Sequence, residues 1–162
     1  MESGGSQNRH EEIERKFLVN GNDFKTGAEP VYIRQGFIST HKEHVVRIRT
    51  CGQKAFITLK SSGSGITRKE YEYEIPYPDA VELLETFCLK PLIEKNRYRI
   101  VFRGTVWEVD EFLGVNRGLV LAETELGSEN ETFKNPPWLG KEVTNDPRYY
   151  NARLAEFPYT AW

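Results

Sequence analysis

Along most of this chain, charged residues fall two apart, often with a shared sign, and apolar residues sit between them. In an extended strand alternate side chains point to opposite faces, so such spacing builds one charged face and one apolar face. The stretch 12–19 places Glu12, Glu14 and Lys16 against Ile13, Phe17 and Val19. Segment 44–51 sets Arg47 and Arg49 against Val46 and Ile48, and 53–60 sets Lys54, Thr58 and Lys60 against Ala55, Ile57 and Leu59. In 67–75, Arg68, Glu70, Glu72 and Glu74 oppose Tyr71, Tyr73 and Ile75. Lys95, Arg97 and Arg99 in 92–103, Glu108 and Asp110 in 105–112, and Glu123 and Glu125 in 119–126 repeat the rule. A further strand signal covers 31–39.

Two architectures satisfy this parity: a sheet with one face in water, or a closed barrel whose alternate residues line an interior. Same-sign charges two apart repel, which makes more sense where opposite strands or ligands neutralise them. Closure would give a lumen with carboxylates for metal ions and a Lys/Arg cluster for a polyanion. Helical spacing predicts a helix of about three turns after Tyr77-Pro78, capped by Asp79 and packed through Val81, Leu84 and Phe87. A second helix is expected over 147–156, with Pro147 in its first turn and Tyr150 and Leu154 on one face. The segment NPPWLGKEVT between them reads as a loop. Two helices cannot cover the apolar outside of eight strands, so part of it must rest on loops or another subunit. Trp107, Trp138, Tyr71 and Tyr73 read as packing residues.

The chain has 162 residues with 22 basic and 24 acidic, net -2, which lacks the basic excess of a nucleic-acid binder. The polar, Gly/Ser-rich residues 1–10 read as a flexible leader, leaving 11–162 as a single domain. No apolar run reaches a membrane-spanning length and the start carries no signal core, so a cytoplasmic protein without membrane partners is expected. Cys51 and Cys88 read as buried thiols rather than a disulfide framework. Three histidines (His10, His41, His44) without a C-x-x-C pair give little support for zinc. Gly63-Ser64-Gly65 lacks the Gly-Lys-Ser/Thr of a P-loop.

The motif Glu12-x-Glu14-x-Lys16 resembles the ExExK signature of the CYTH superfamily, the triphosphate tunnel metalloenzymes. Arg47-x-Arg49, Lys60, Arg68-x-Glu70-Tyr71-Glu72, Lys95-x-Arg97, the Glu108/Asp110 strand and Glu123-x-Glu125 follow in that family's order. The tail Gly140-Lys141-Glu142-Val143-Thr144, then Asp146, Arg148-Tyr149 and Asn151, is similar to that of short bacterial members. The resemblance spans residues 11 to 156. It implies an all-β dominated fold: an eight-stranded antiparallel tunnel with a few peripheral helices, binding a linear triphosphate and one or two divalent cations.

Carried over by position, Glu12, Glu14, Glu123, Glu125 and Asp110 are the implied metal ligands, for Mg²⁺ or Mn²⁺. Lys16, Arg47, Arg49, Lys60, Arg68, Lys95 and Arg97 are the implied phosphate-binding residues, with Lys16, Glu70 and Glu72 in catalytic roles. Glu108 joins the acids that orient basic side chains or serve a second ion. The implied reaction cleaves tripolyphosphate to pyrophosphate and phosphate, in a monomer or homodimer. Within the fold the alternatives are a nucleoside or thiamine triphosphatase and a class IV adenylate cyclase; outside catalysis, a polyphosphate-binding module. Many short relatives carry Tyr after Gln-Gly, where this chain has Phe37, so that hydroxyl is missing here.

Overall fold

The computed structural model describes residues 10–63 and 65–162. Most of the expected leader, residues 1–9, lies outside the described residues. His10, its last residue, packs: its carbonyl accepts the Glu70 N–H at 2.8 Å and its ring stacks on Tyr71.

The alternating segments form β1 (Glu11–Val19), β2 (Val31–Ser39), β3 (His44–Cys51), β4 (Lys54–Ser61), β5 (Thr67–Glu74), β6 (Ile93–Phe102), β7 (Thr105–Phe112) and β8 (Val120–Glu125). Their sheet order is β5-β4-β3-β2-β6-β7-β8-β1, and a β1–β5 pairing closes it into an eight-stranded antiparallel barrel. Closure abolishes free edges and separates an inside from an outside. Most of the charged residues named above line the inside, which answers the choice left open by parity.

One loop expectation fails. Leu139–Glu142, within NPPWLGKEVT, forms a ninth strand, β9, on β1 beyond the reach of β5. A Cβ on Gly140 would come within 2.8 Å of the Leu18 carbonyl oxygen, so glycine permits this close approach. Arg15 locks the pairing from the outer face with two bonds to Glu142, at 2.8 and 2.6 Å.

The first helix, α1 (Tyr77–Thr86), starts two residues before Asp79, so Asp79 sits in the first turn and favours the helix dipole without capping a backbone N–H. Its buried face is Ala80 and Leu84, packed on Ile48 and Ala55 of the barrel exterior. Phe87, expected in that face, is 65% exposed. The expected 147–156 helix is broken: a 3₁₀ turn covers Pro147–Tyr149, Tyr150 is extended, and α2 is Asn151–Glu156.

The position of α2 was not expected either. Its Leu154 and Ala155 pack with Phe37, Ile93, Phe112, Leu119 and Leu121. Phe37 is paired with Arg47, Ile93 with Gln35 and Phe112 with Lys95, so these apolar residues share the interior face. The helix therefore closes one end of the barrel from within. Outside, loops do the covering: Phe24, Phe133 and Trp138 pack on Phe17, Tyr98 and Trp107 with edge-on ring contacts of 5.2–6.4 Å. Tyr71 and Tyr73, expected in packing, are 38% and 55% exposed, and Cys51 is half-buried while Cys88 is buried. Among the described residues no helix is long and apolar enough to cross a membrane.

Candidate active site

Residues directly across a ladder share a face, so the strand register decides which charges meet. Glu14 lies opposite Glu125 and Lys16 opposite Glu123, while Glu12 lies opposite Arg68. Thr58 faces Glu72 and Lys60 faces Glu70; Arg97 faces Asp110. The result is an interior cavity of about 620 Å³. Of the residues singled out in the sequence, Glu12, Glu14, Lys16, Arg47, Arg49, Lys60, Arg68, Glu70, Glu72, Lys95, Arg97, Glu108, Glu123 and Glu125 all line it. Asp110 does not. Arg99 and Glu74 lie exposed.

Asp110 sits in the wall beneath the cavity, 0% exposed, and both its oxygens are taken. Arg97 reaches it with Nε at 2.7 Å and Nη2 at 2.8 Å, and Lys95 Nζ lies 2.7 Å away. Burial alone would raise this carboxyl, but Arg97 and Lys95 outweigh it and hold the group far below the usual carboxylate range. With three donors on its two oxygens and no exposed surface, this carboxylate serves the two cations and does not line the cavity. Burial also pulls Lys95 down to about 8 despite the Asp110 charge. Asp110→Asn removes the counter-charge from two buried cations, which typically costs about 3–5 kcal/mol. The expected result is a melting temperature lower by roughly 10 °C, read by calorimetry, given the usual ~2–4 °C per kcal/mol at this size.

Above this layer the cations are held by carboxylates. Lys16 Nζ is 3.0 Å from Glu123 and donates to the Tyr149 carbonyl at 3.3 Å. Lys60 bridges Glu12 at 3.0 Å and Glu70 at 3.2 Å. Arg47 and Arg49 converge on Glu72 at 3.4 and 3.2 Å, and Thr58 donates to the same carboxylate at 2.8 Å. Phe56 backs Arg49 with its ring 5.4 Å from the guanidinium carbon. Parity reasoning passed over two contributors because they are uncharged or lie off the strands. Gln35, from β2, donates to Asn151 Oδ1 at 2.9 Å, and Lys95 donates to that same oxygen at 3.1 Å. The strand signal over 31–39 covers Gln35 without singling it out; only the tail similarity points to Asn151.

Some charged groups keep an unpaired donor or lack an ion pair. Arg47 Nε and Arg49 Nε are buried without a hydrogen bond. Arg68 makes no ion pair among the described residues and rests its guanidinium over the Tyr150 ring at 5.0 Å. On the β7, β8 and β1 side, Glu14 and Glu125 make no salt bridge among the described residues, although Lys60 acts on both through space and Lys16 on Glu14. Burial and the neighbouring Glu123 push Glu14 up to about 8, and burial with Glu12 and Glu108 pushes Glu125 up. Glu123 is the exception: burial would raise it, but Lys16 and Arg97 bring it down to about 2. Among the described residues no three tunnel carboxylates bring an oxygen each within 4.8 Å of one another, as three donors do elsewhere in the fold.

Crowded acids make the apo protein pH-sensitive. Between pH 4.5 and about 8 native Glu14 keeps a proton that the unfolded chain has lost, so stability falls as pH rises through that window. Glu123 is ionised in both states above pH 4.5, and Lys95 is charged in both below about 8, so neither reverses the slope there. In chelator, melting at pH 8 is expected to be several degrees below that at pH 5, with the gap narrowing on addition of Mg²⁺ or Mn²⁺.

Comparison with known proteins agrees with this geometry. The CYTH domain model matches residues 10–152. An inorganic triphosphatase of Acetivibrio thermocellus is 53% identical over 148 residues, covering 91% of this chain and 95% of the relative. An inorganic triphosphatase of Nitrosomonas europaea is 41% identical over 149 residues, covering 89% and 96%. A solved inorganic triphosphatase structure superposes with a TM-score of 0.64 at 36% identity, over 88% of this chain and 96% of that one. A Pyrococcus horikoshii protein shares the fold at 23% identity and a TM-score of 0.56, over 74% and 80%. With the family model matched across most of its length and the ExExK strand closing a charged barrel, the chain belongs to the CYTH family.

Proposed function

We propose that the tunnel hydrolyses inorganic triphosphate to pyrophosphate and phosphate with the help of a divalent cation. One observation carries this reading: unsatisfied charges of both signs face one cavity on different arcs of the barrel. A bare polyanion would answer Arg47, Arg49 and Arg68 while aggravating Glu14 and Glu125; a cation-bound polyphosphate answers both. The two triphosphatase relatives support the same substrate.

An all-carboxylate donor set fits hard ions, and spacing too wide for three protein donors fits Mg²⁺ or Mn²⁺ held partly by substrate oxygens. Glu12, Glu14, Glu123 and Glu125 would hold it. When bound, the ion neutralises phosphoryl charge and polarises the scissile bond. Asp110 belongs with the positioning residues instead, fixing Arg97 and Lys95. Lys16, Arg47, Arg49, Lys60 and Arg68 grip phosphate oxygens, where positioning and charge neutralisation supply most of the catalysis. Glu72 aims the two arginines. Glu70 would otherwise be raised by burial, but Glu12, Lys60 and Arg47 keep it ionised, so it can orient the attacking water and accept its proton. The relatives named as inorganic triphosphatases favour the inorganic substrate over nucleotides. A cytoplasmic enzyme, monomeric or homodimeric, completes the reading.

The test is phosphate release from tripolyphosphate, ATP and thiamine triphosphate, each with Mg²⁺ and with Mn²⁺. Tripolyphosphate should be the preferred substrate, with no turnover in chelator. Faster release from ATP or thiamine triphosphate would move the assignment to those substrates, and binding without release would leave a polyphosphate-binding module.

A further inference from the structure

The turn between β2 and β3 gathers metal-binding donors of another kind. His41, Glu43 and His44 each present one donor atom, and these lie within 4.8 Å of one another. The backbone holds them there. His44 N–H donates to the His41 carbonyl at 2.9 Å, and His41 N–H donates to Ser39 Oγ at 3.3 Å. The two imidazoles stack with centroids 4.4 Å apart and planes 22° from parallel. Thr40 Oγ1 donates to Glu156 at 2.6 Å, fastening the turn to α2 at the cavity rim.

We propose that this turn binds a first-row transition-metal ion, zinc above all, through His41, Glu43 and His44, independently of the tunnel carboxylates. Imidazole nitrogen is a borderline donor that suits zinc, copper and nickel, whereas the oxygen-only tunnel suits magnesium and manganese. Two imidazoles and one carboxylate leave a fourth position for water, the usual arrangement of an open zinc site. Zinc–nitrogen distances of about 2.0–2.1 Å place tetrahedral donors ~3.4 Å apart. Closing from 4.8 Å takes a modest rotation of three exposed side chains, with no core to repack. The Glu43 N–H contact to His41 Nδ1, 3.4 Å long, is weak enough to yield to an ion. Three donors within four consecutive residues also keep the ordering entropy small.

The experiment is isothermal titration of the full chain with zinc chloride, in excess Mg²⁺ to occupy the tunnel. Wild type should bind one zinc per chain. A His41→Ala/His44→Ala double variant should bind roughly tenfold or more weakly, with Mg²⁺-dependent tripolyphosphate hydrolysis unchanged. Glu125→Gln should retain zinc binding. No zinc uptake by wild type, equal affinity in the double variant, or zinc loss in Glu125→Gln would each overturn the site. None of these outcomes depends on the triphosphatase assignment.

Discussion

Lys16→Met is expected to lower turnover of tripolyphosphate by about 10²–10³-fold, the usual worth of one preorganised charge-stabilising group. Lys16 lies on β1 beside Glu14 and Glu123, its ammonium 3.0 Å from Glu123 and 7% exposed as a residue, which under the proposed function sets it against the phosphoryl oxygens next to the cation. Burial disfavours its charge, but Glu123 and Glu14 outweigh burial and raise its pKa. A base raised in the folded state stabilises it fully below the unfolded value and loses that contribution as pH climbs through the folded one. At neutral pH the contribution is therefore present, and Lys16→Met should melt below wild type without ligand. Tripolyphosphate, added with Ca²⁺ or without metal to suppress hydrolysis, should raise the wild-type melting temperature more than the variant's. Equal shifts with unchanged turnover would reduce Lys16 to a strand residue with an ion pair.

Glu125→Gln should do the opposite to stability and the same to activity. Glu125 makes no salt bridge among the described residues, and burial with Glu12 and Glu108 outweighs the more distant Lys60 and disfavours its charge. Removing that charge relieves repulsion, so the metal-free variant should melt at or above wild type. Turnover with Mn²⁺ or Mg²⁺ should fall by at least ~10²-fold, since an anionic oxygen ligand is gone. The Mn²⁺-induced gain in melting temperature should shrink with it. A merely structural carboxylate would give the reverse pairing, a lower melting temperature with retained activity. That outcome would remove Glu125 from the ligand set.

Charge parity made the barrel and most of its lining legible, because a period of two is a local property that survives without any knowledge of partners. The sign of each strand's interior face could be read from Glu12, Arg47 or Lys95 directly. What could not be read was set by distant chain. Asp110 looks like any other interior acid until Lys95 and Arg97 are seen on its two oxygens. β9 is four residues long and exists because Gly140 lets it approach Leu18, a pairing across more than a hundred residues. α2 offers Leu154 and Ala155, an apolar face too short to announce whether it covers an exterior or fills an interior. Phe37 reads only as the place of a missing hydroxyl; its packing against α2 from the interior face, opposite Arg47, comes from distant chain.

β1 has a further consequence, in the time domain. It is translated before the other described strands, yet its partners are residues 67–69, 121–125 and 139–142. β2 to β5 form one meander and β6 to β8 another, each joined through neighbours in sequence. β1 alone must wait for the far end of the chain, and such non-local closure is slow, on the millisecond-to-second scale of β-rich folds. Until it docks, both of its edges stay unpaired and Glu12, Glu14 and Lys16 remain in water. A nascent or truncated chain ending before 121 therefore holds Arg47 and Arg49 of β3, the proposed phosphate grips, without Glu123 and Glu125 of β8 to face them. Competence arrives in one late step, with the earliest of the described strands.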